Sequence, residues 1–312
     1  MNILITGIHG FVGSNLVKIL SKEHLLYGLD IVSPFKESIV KTYSWEDLKE
    51  GKLPEVDVII HLAGKAHDTK NQAKAQSYFH INTKLTEKVY DYFLKSSAKK
   101  FIFFSSVKAA VDSVQGEILT EDVIPRPVGP YGESKIAAEK YIQSKPTDKS
   151  VYILRPCMIH GPGNKGNLNL LYNVVKKGIP WPLGTFENRR SFTSIDNLCY
   201  VIEGLLDKDV PSGIYHMGDD EALSTNELIS IICETMGKKP HIWKINKELM
   251  KNVARVGTLL HLPLNTERLQ KLTENYIVSN AKIKKALKIE KMPVRADEGL
   301  RKTIKSFEHK IK

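Results

Sequence analysis

The sequence predicts an α/β protein built on a doubly wound parallel sheet, with a smaller C-terminal lobe. Three observations indicate this architecture. Residues 1–30 read as a strand, a glycine-rich turn, a helix and a second strand. Apolar strands then alternate with helices as far as residue 166, as right-handed crossovers between parallel strands require. From residue 167 onward the rhythm changes to helices separated by short extended pieces.

Residues 1–30 carry a dinucleotide-binding pattern in the spacing Gly-x-x-Gly-x-x-Gly, formed by Gly7, Gly10 and Gly13. Gly7 permits a tight turn, Gly10 lets backbone approach a pyrophosphate, and Gly13 lets the following helix, predicted over 14–22, pack closely on the strand. Unpaired N–H groups at the start of that helix attract phosphates. Asp30 ends the second strand, where its carboxylate can bind a ribose diol and repel a 2′-phosphate. The pattern predicts NAD rather than NADP; an ordinary βα turn with three glycines is the alternative.

A second glycine cluster, residues 161–166, matches Gly-x-Gly-x-x-Gly literally and follows a strand-like run. No second strand ending in an acid comes after it, so the dinucleotide is not placed there. The cluster is predicted to be either a phosphate- or sugar-binding loop or a plain surface loop.

Hydrophobic periodicity and turn residues predict the remaining elements. In the first half they are strands over 39–43, 56–64, 101–104 and 151–159, helices over 78–94 and 131–144, and a loop or loose helix over 65–76. Pro156 is expected to interrupt the last of these strands near its exit. In the second half they are helices over 168–177, 197–206, 225–236 and 246–256, with extended pieces at 213–216 and 241–243. We expect residues 1–166 to form a Rossmann-type domain and residues 167–312 to form mostly the substrate-binding lobe, with some segments returning to the first domain.

The composition and charge of the chain limit the classes of partner that it is expected to bind. Lys and Arg exceed Asp and Glu by 11, but they are scattered apart from a lysine-rich C-terminus, and neither a zinc-ligand spacing nor an arginine-rich arm is present. A solvated surface is therefore favoured over a nucleic-acid role, and no metal site is predicted. Cys157, Cys199 and Cys233 show no pairing pattern, which favours reduced thiols in a cytoplasmic protein. Without a signal peptide or an apolar run of about 20 residues, no membrane insertion is expected. The choice between a monomer and a homodimer stays open.

A tyrosine and a lysine four residues apart on one helix face form a candidate acid/base pair. The ammonium is expected to lower the tyrosine pKa, so that the phenol exchanges a proton near neutral pH. The spacing occurs three times, in Tyr131/Lys135, Tyr141/Lys145 and Tyr172/Lys176. Tyr131 is selected because it begins its helix after a proline-rich loop and follows a serine pair at the carboxyl end of a strand, where open α/β sheets bind ligands.

These motifs resemble the extended short-chain dehydrogenase/reductases, in particular the NAD-dependent epimerase/dehydratase family that acts on nucleotide sugars. The resemblance spans residues 1–307 and is carried by the stretches 6–13, 61–64, 105–106, 131–135 and 155–156. Ser106 and Tyr131 are separated by the twenty-five positions found in UDP-galactose 4-epimerases, which selects Ser106 over Ser105.

The resemblance implies roles for individual residues. Tyr131 would be the acid/base, Lys135 would lower its pKa and hold the nicotinamide ribose, and Ser106 would hydrogen-bond the reacting oxygen. Asn82 would sit behind the site, where a structural role is equally favoured. The implied dinucleotide contacts are Gly7, Gly10, Phe11, Val12, Gly13, Asp30, Leu62, Ala63, Gly64, Tyr131, Lys135, Pro156 and Met158.

Substrate contacts are implied by the stretch 179–192, which resembles the family segment that holds the nucleotide base and diphosphate. It contains Leu183 and Arg190, and Arg190 matches a phosphate-binding arginine, with a surface ion pair as its alternative. Asn167 directly follows the second glycine cluster and, together with it, is a candidate substrate contact. Arg268 is a further candidate phosphate ligand, for which a plain surface role is favoured.

The residues after the serine pair limit the reaction. Dehydratases of this family carry an Asp-Glu pair after the catalytic serine or threonine, whereas Val107 and Lys108 stand here, so elimination of water is disfavoured. At Lys108 the chain resembles the reductases and epimerases of bacterial surface polysaccharide pathways. Lys108 is therefore a candidate substrate contact. We therefore expect an NAD-dependent nucleotide-sugar 4-epimerase. The alternatives are an NAD(P)H-dependent reductase of a 4-keto-6-deoxy sugar and a dinucleotide-binding regulatory protein without enzyme activity.

Overall fold

The structure, a computed structural model, describes residues 1–65, 74–164, 166–262 and 264–308. Most of the stretch 65–76, predicted as loop or loose helix, lies outside these residues. Nine strands and twelve α-helices are found in the described residues.

A seven-stranded sheet in the order β3-β2-β1-β4-β5-β6-β9 forms the centre of the molecule, and every pairing within it is parallel. Its strands are β1 (Asn2–Thr6), β2 (Leu25–Leu29), β3 (Lys41–Tyr43), β4 (Val58–His61), β5 (Lys100–Phe104), β6 (Ser150–Pro156) and β9 (Gly213–Met217). A separate two-stranded sheet pairs β7 (Met158–His160) with β8 (Phe192–Ser194). The predicted doubly wound parallel sheet is confirmed.

The helices cover both faces of the sheet and build the lobe. They are α1 (Phe11–Leu20), α2 (Trp45–Lys49), α3 (Ala75–Tyr78), α4 (Leu85–Lys95), α5 (Gly129–Gln143), α6 (Asn167–Lys176), α7 (Ile195–Asp207), α8 (Thr225–Thr235), α9 (Lys247–Leu259), α10 (Thr266–Thr273), α11 (Ala281–Leu287) and α12 (Ala296–Glu308). One apolar core joins the sheet to α1, α7 and α11, and a second joins its other face to α4 and α5. Strands covered on both faces need apolar residues on both sides, which explains the near-continuous apolar runs in the sequence.

Two predicted elements are interrupted in the structure. The helix predicted over 78–94 contains a π-helical turn, Phe79–Lys84, before α4. The strand predicted over 151–159 is divided at Cys157, and its second part leaves the main sheet to pair with β8. Pro156 has no N–H to donate, which weakens further pairing in the main sheet at this point.

The second half of the chain contributes to both parts of the molecule. The piece predicted at 213–216 is β9, an edge strand of the main sheet, and α7 packs against α1. The lobe has its own apolar core, built from α6, α8, α12 and the residues around Trp181. The domain division at residue 166 remains a prediction.

Candidate active site

The glycine turn sits where β1 leads into α1. Gly7 has φ +69°, the left-handed region that favours glycine, and its N–H donates to the Leu29 carbonyl at 2.9 Å. A Cβ on Gly13 would lie 2.6 Å from the carbonyl oxygens of both Gly7 and Ile8, so only glycine fits that close contact. The helix begins at Phe11, three residues earlier than predicted, and Gly10 at its N-cap cannot cap it with a side chain. The N–H groups of Phe11, Val12 and Gly13 therefore form the first turn, where a phosphate binds.

Asp30 lies beside this turn. Its Oδ2 accepts a hydrogen bond from the His9 N–H at 3.0 Å, and its Oδ1 accepts one from the Ile31 N–H at 2.7 Å. Lys36 Nζ lies 3.4 Å from the Ser14 hydroxyl oxygen on the same side of the turn. A glycine cradle that a Cβ would fill, followed by a carboxylate at the next strand end, fits the pyrophosphate and ribose of NAD.

The loop after β4, with Leu62, Ala63 and Gly64, is tied to β1. The Thr6 hydroxyl accepts from the Ala63 N–H at 3.0 Å and contacts Nδ1 of the buried His61 at 2.7 Å, while Nε2 of His61 contacts the Thr86 hydroxyl at 2.9 Å. Since the Thr86 hydroxyl donates to a carbonyl at 2.7 Å, it accepts from His61, which places the imidazole proton on Nε2. Burial lowers the pKa of His61 to about 3, so the ring is neutral.

Asn82, on the π-helical turn, joins this loop to the catalytic helix. It is fully buried, and its Oδ1 accepts from the Lys65 N–H at 2.7 Å. Its Nδ2 donates to the Ser134 hydroxyl at 3.0 Å, and Ser134 in turn donates to the Tyr131 carbonyl at 2.8 Å. π-Helical turns often mark functional sites, and here the turn places one amide between the loop after β4 and α5.

Ser106, Tyr131 and Lys135 come together at the carboxyl end of β5. Ser106 follows the strand and caps a 3₁₀ turn by accepting from the Lys108 N–H at 3.2 Å, and its hydroxyl acts to lower the pKa of the nearby Tyr131 phenol. Tyr131 lies in the first turn of α5, directly after Gly129 and Pro130. Lys135 Nζ is buried and donates to the Phe104 carbonyl at 2.7 Å. The structure thus brings the three predicted catalytic residues into one site.

The prediction that the pKa of Tyr131 lies below its ordinary value is wrong for the chain without bound cofactor or substrate. Burial raises the pKa of the phenol above its ordinary value, the hydrogen bond from Ser106 opposes that shift, and the nearby Tyr78 adds to it. Burial also lowers the pKa of Lys135 to about 8, and the Glu139 carboxylate acts in the opposite direction.

Glu139 and Arg155 form a buried ion pair beneath the candidate catalytic residues, which the sequence analysis did not predict. Arg155 donates from Nε and Nη2 to the two Glu139 oxygens at 3.0 and 2.6 Å, and the Ser105 hydroxyl donates to the same carboxylate. Glu139 lies one turn after Lys135 on α5. The spacing of a buried glutamate four residues beyond a catalytic lysine was the available signal.

The two other Tyr/Lys pairs lie elsewhere. Tyr141 and Lys145 form a cluster with Asp91, whose Oδ1 is 2.8 Å from the phenol and 2.5 Å from Nζ. Tyr172 is buried in the lobe core with its ring edge-on to Phe307.

A cleft of about 630 Å³ opens in front of Tyr131. α5 and α10 face each other across it, and Lys108 lies within it, 2.8 Å from the Asp112 carboxylate and 4.7 Å from the centre of the Tyr276 ring. Its lining residues are Ala75, Tyr78, Lys108, Asp112, Val128, Gly129, Pro130, Tyr131, Gly132, Glu267, Gln270, Lys271 and Glu274. Cations and carboxylates at one mouth suit a polar, anionic ligand with hydroxyl groups.

The other residues that are predicted to contact the substrate differ in how deeply they are buried. Arg190 is partly buried, donates to the Lys271 carbonyl beside the cleft and lowers the pKa of Glu274 against the larger effect of burial. Arg268 is exposed on α10. The Leu183 side chain is buried in the lobe core, which leaves its backbone for the predicted contact with substrate. Asn167 begins α6, and its side chain lies outside what the structure describes.

Pro156 is buried at the end of β6, and Met158 is exposed at the start of β7. The glycine loop that follows packs on α1: the Pro162 carbonyl accepts from Asn15 at 3.4 Å, and Gly163 faces Phe11. It therefore borders the glycine turn.

Among the described residues, no group of three or more His, Cys, Asp or Glu could hold a metal ion. The three cysteines are buried and unbridged. None of the described helices is both long enough and apolar enough to cross a bilayer.

A parallel sheet with a glycine turn, a carboxylate at the second strand end and a Ser-Tyr-Lys site defines the class of nucleotide-dependent oxidoreductases. The family model described as "NAD dependent epimerase/dehydratase family" matches residues 3–218. The chain belongs to this family, and its cofactor is accordingly NAD.

Relatives and solved structures agree with this membership. The chain is 33% identical over 254 residues to a UDP-glucose 4-epimerase of Vibrio cholerae, covering 76% of each chain. It is 28% identical over 247 residues to an N-acetyl-α-D-glucosaminyl-diphospho-ditrans,octacis-undecaprenol 4-epimerase of Escherichia coli O157:H7, covering 76% of this chain and 73% of the other. The fold matches a UDP-glucose 4-epimerase of Thermotoga maritima solved with UDP-glucose, with a TM-score of 0.77, 21% identity and full coverage of both chains.

Proposed function

We propose that this protein is an NAD-dependent 4-epimerase of nucleotide diphosphate sugars that serves surface polysaccharide synthesis. The observation that carries the proposal is the convergence of Ser106, Tyr131 and Lys135 at the carboxyl end of β5, with Tyr131 lining the cleft. The Vibrio cholerae and Escherichia coli relatives, both named 4-epimerases, support the same reaction class.

NAD, held by the glycine turn and Asp30, would supply reversible hydride transfer at sugar C4 in this reaction. Tyr131 takes the proton of the C4 hydroxyl as the carbonyl forms and gives it back as the hydroxyl is restored. Ser106 hydrogen-bonds the same oxygen, and the Lys135 ammonium supplies positive charge near it. Because burial keeps the phenol protonated in the chain alone, the proposal requires that occupation of the site lowers the Tyr131 pKa.

Lys108, Arg190 and Arg268 are the proposed contacts with the sugar and diphosphate. Lys108 and the Lys271 carbonyl that holds Arg190 belong to the rim of the cleft. A cation that pairs with a carboxylate in the free chain can exchange that partner for a phosphate. A second candidate function is a 4-keto-sugar reductase that consumes NADH. Lys108, two residues after Ser106, favours it because the chain resembles such reductases at this position.

The discriminating experiment incubates the purified protein with UDP-hexoses, UDP-N-acetylhexosamines, the polyprenyl-diphosphate forms of those hexosamines and 4-keto-6-deoxy nucleotide sugars. Product stereochemistry and the absorbance of NADH are followed together. Inversion at C4 without net change in NADH supports the epimerase, and stoichiometric loss of NADH supports the reductase. Turnover of free alcohols or aldehydes, with no turnover of any sugar diphosphate, would refute the substrate class.

A further inference from the structure

The lobe carries one concentrated apolar surface, formed by residues 243–262. Of the twenty large apolar side chains that are exposed in the described residues, seven lie in this stretch. Three of them are leucines at its tip, Leu259, Leu260 and Leu262, which are 77%, 60% and 48% exposed. Single exposed apolar residues are ordinary, but a contiguous group marks an interaction surface.

Helix α9 has two apolar faces. Met250, Ala254 and Gly257 are buried and attach the helix to the lobe. Leu249, Val253, Val256 and Leu260 stand at positions i, i+4, i+7 and i+11, which places them on a single exposed stripe of the helix. Since the buried face already satisfies packing within the chain, the second stripe is available to a partner.

The segment that carries this stripe is strongly basic, with the cations of α9 on the side of the helix away from the stripe. Between residues 238 and 262 there are six exposed cations and one carboxylate, Glu248. The cations are Lys238, Lys239, Lys244, Lys247, Lys251 and Arg255. Trp243, which is 56% exposed, precedes the helix. An apolar stripe with a tryptophan, on a helix whose polar side is rich in cations, is the pattern of a helix that lies in the headgroup region of an anionic membrane.

The surface borders the cleft of the candidate active site. The Thr258 hydroxyl, at the end of α9, lies 2.8 Å from the Thr266 hydroxyl at the start of α10. α10 is only eight residues long, about 12 Å, and its Glu267, Gln270 and Lys271 line the cleft that contains Tyr131. A membrane in contact with the leucine tip would therefore lie close to the cleft.

We propose that the surface formed by residues 238–262 docks the protein onto an anionic lipid bilayer, with the α9 stripe and the leucine tip in the headgroup region. A second copy of the chain is a less suitable occupant, because it would bring two sets of six like charges close together. Docking is independent of the reaction, so a failure of the proposed function would leave it untouched.

The test is co-sedimentation of the purified full chain, without substrate, with two kinds of vesicle. One contains phosphatidylethanolamine and phosphatidylglycerol, and the other contains phosphatidylcholine alone. The variant carries Leu249→Glu and Leu260→Glu. The matched control carries Leu25→Glu and Leu170→Glu, which have the same charge change and nearly the same exposure, 56% and 61% against 55% and 60%. A second variant, Lys244→Gln with Lys247→Gln, tests the charge, and thermal unfolding checks that each protein is folded.

We expect the wild type to bind the phosphatidylglycerol vesicles, to bind phosphatidylcholine far less and to be released by salt. The leucine variant should lose at least about tenfold in binding, while its control stays within about twofold of wild type. The lysine variant should weaken binding to the anionic vesicles alone. Absence of vesicle binding in the wild type, or equal losses in variant and control, would overturn the proposal. A dimer that the leucine variant converts to monomer, without any vesicle binding, would assign the surface to a second copy instead.

Discussion

At the scale of single residues, Tyr131 and Tyr141 share a helix and a lysine four positions later, yet their surroundings differ. Tyr131 meets Ser106 at a cleft, whereas Tyr141 meets Asp91 and Lys145 at the surface. We expect Tyr131→Phe to lower turnover about 100-fold or more, since the phenolic proton is lost, and Tyr141→Phe to leave it within about twofold. Steady-state rates of C4 inversion compare the two. Equal effects of both substitutions would show that Tyr131 is not the acid/base.

Asp30 is expected to set the preference for NAD over NADP. Its carboxylate repels a 2′-phosphate, while Lys36 on the same side of the turn would attract one. Asp30→Ala should therefore bring the dissociation constants for NADP and NAD closer together. The control is Asp57→Ala, at the opposite end of the sheet. Calorimetric titration of both dinucleotides into stripped protein measures the ratio. An unchanged preference in Asp30→Ala would contradict this role.

Glu139 is expected to tune Lys135. Burial gives Lys135 a pKa of about 8, and Glu139 keeps that pKa from falling further. The ammonium is present below this pH and lost above it, so activity should decline as the pH rises through about 8. Glu139→Gln should move this decline to lower pH, whereas Glu133→Gln, exposed on the same helix, should leave it in place. The measurement is the pH profile of kcat/KM; a decline that stays fixed in Glu139→Gln would exclude the coupling. Because the ion pair is buried, the variant should also lose about 3–5 kcal/mol of unfolding free energy.

At the scale of elements, the sequence predicted the site best where residue type alone constrains the backbone. Few other residue types can replace the glycines of the first turn or the serine at the end of β5, so the roles of these residues could be inferred from their positions. The π-helical turn at Phe79–Lys84 could not, because its apolar spacing is that of an ordinary helix, and the extra residue per turn is set by the contacts of Asn82.

Other elements were missed or misplaced for equally local reasons. Helix α2 begins at a Ser44–Asp47 capping box, a signal that was present but was not used. The predicted interruption at Pro156 is confirmed, because β6 ends there, but an apolar run cannot show that the second part of the strand changes partners. Leu183 was assigned by position within a resembling segment, and the burial of its side chain could not be predicted, because it depends on the surrounding helices of the lobe.

At the scale of the whole molecule, buried neutral histidines should make the fold sensitive to acid. Burial lowers the pKa of His61 from its ordinary 6.5 to about 3 and that of His216 to about 4. Below pH 6.5 the unfolded chain takes up protons that the folded chain does not, so the free energy of unfolding should fall as the pH drops from about 6.5 toward 3. Denaturant titrations across this range should give a shallower fall for His61→Gln than for wild type. His80→Gln, at an exposed position, should keep the wild-type fall; equal curves for all three proteins would contradict the account.

The central claim is that a hydride leaves sugar C4 and returns to the same carbon, while Tyr131 moves the proton. The most direct measurement uses a UDP-N-acetylhexosamine, or the UDP-hexose that proves to be turned over, labelled with deuterium at C4. The account predicts that the epimerised product keeps its deuterium at C4 while the NADH absorbance shows no net change. Loss of the label to solvent, or transfer of it into released NADH, would contradict the proposed reaction.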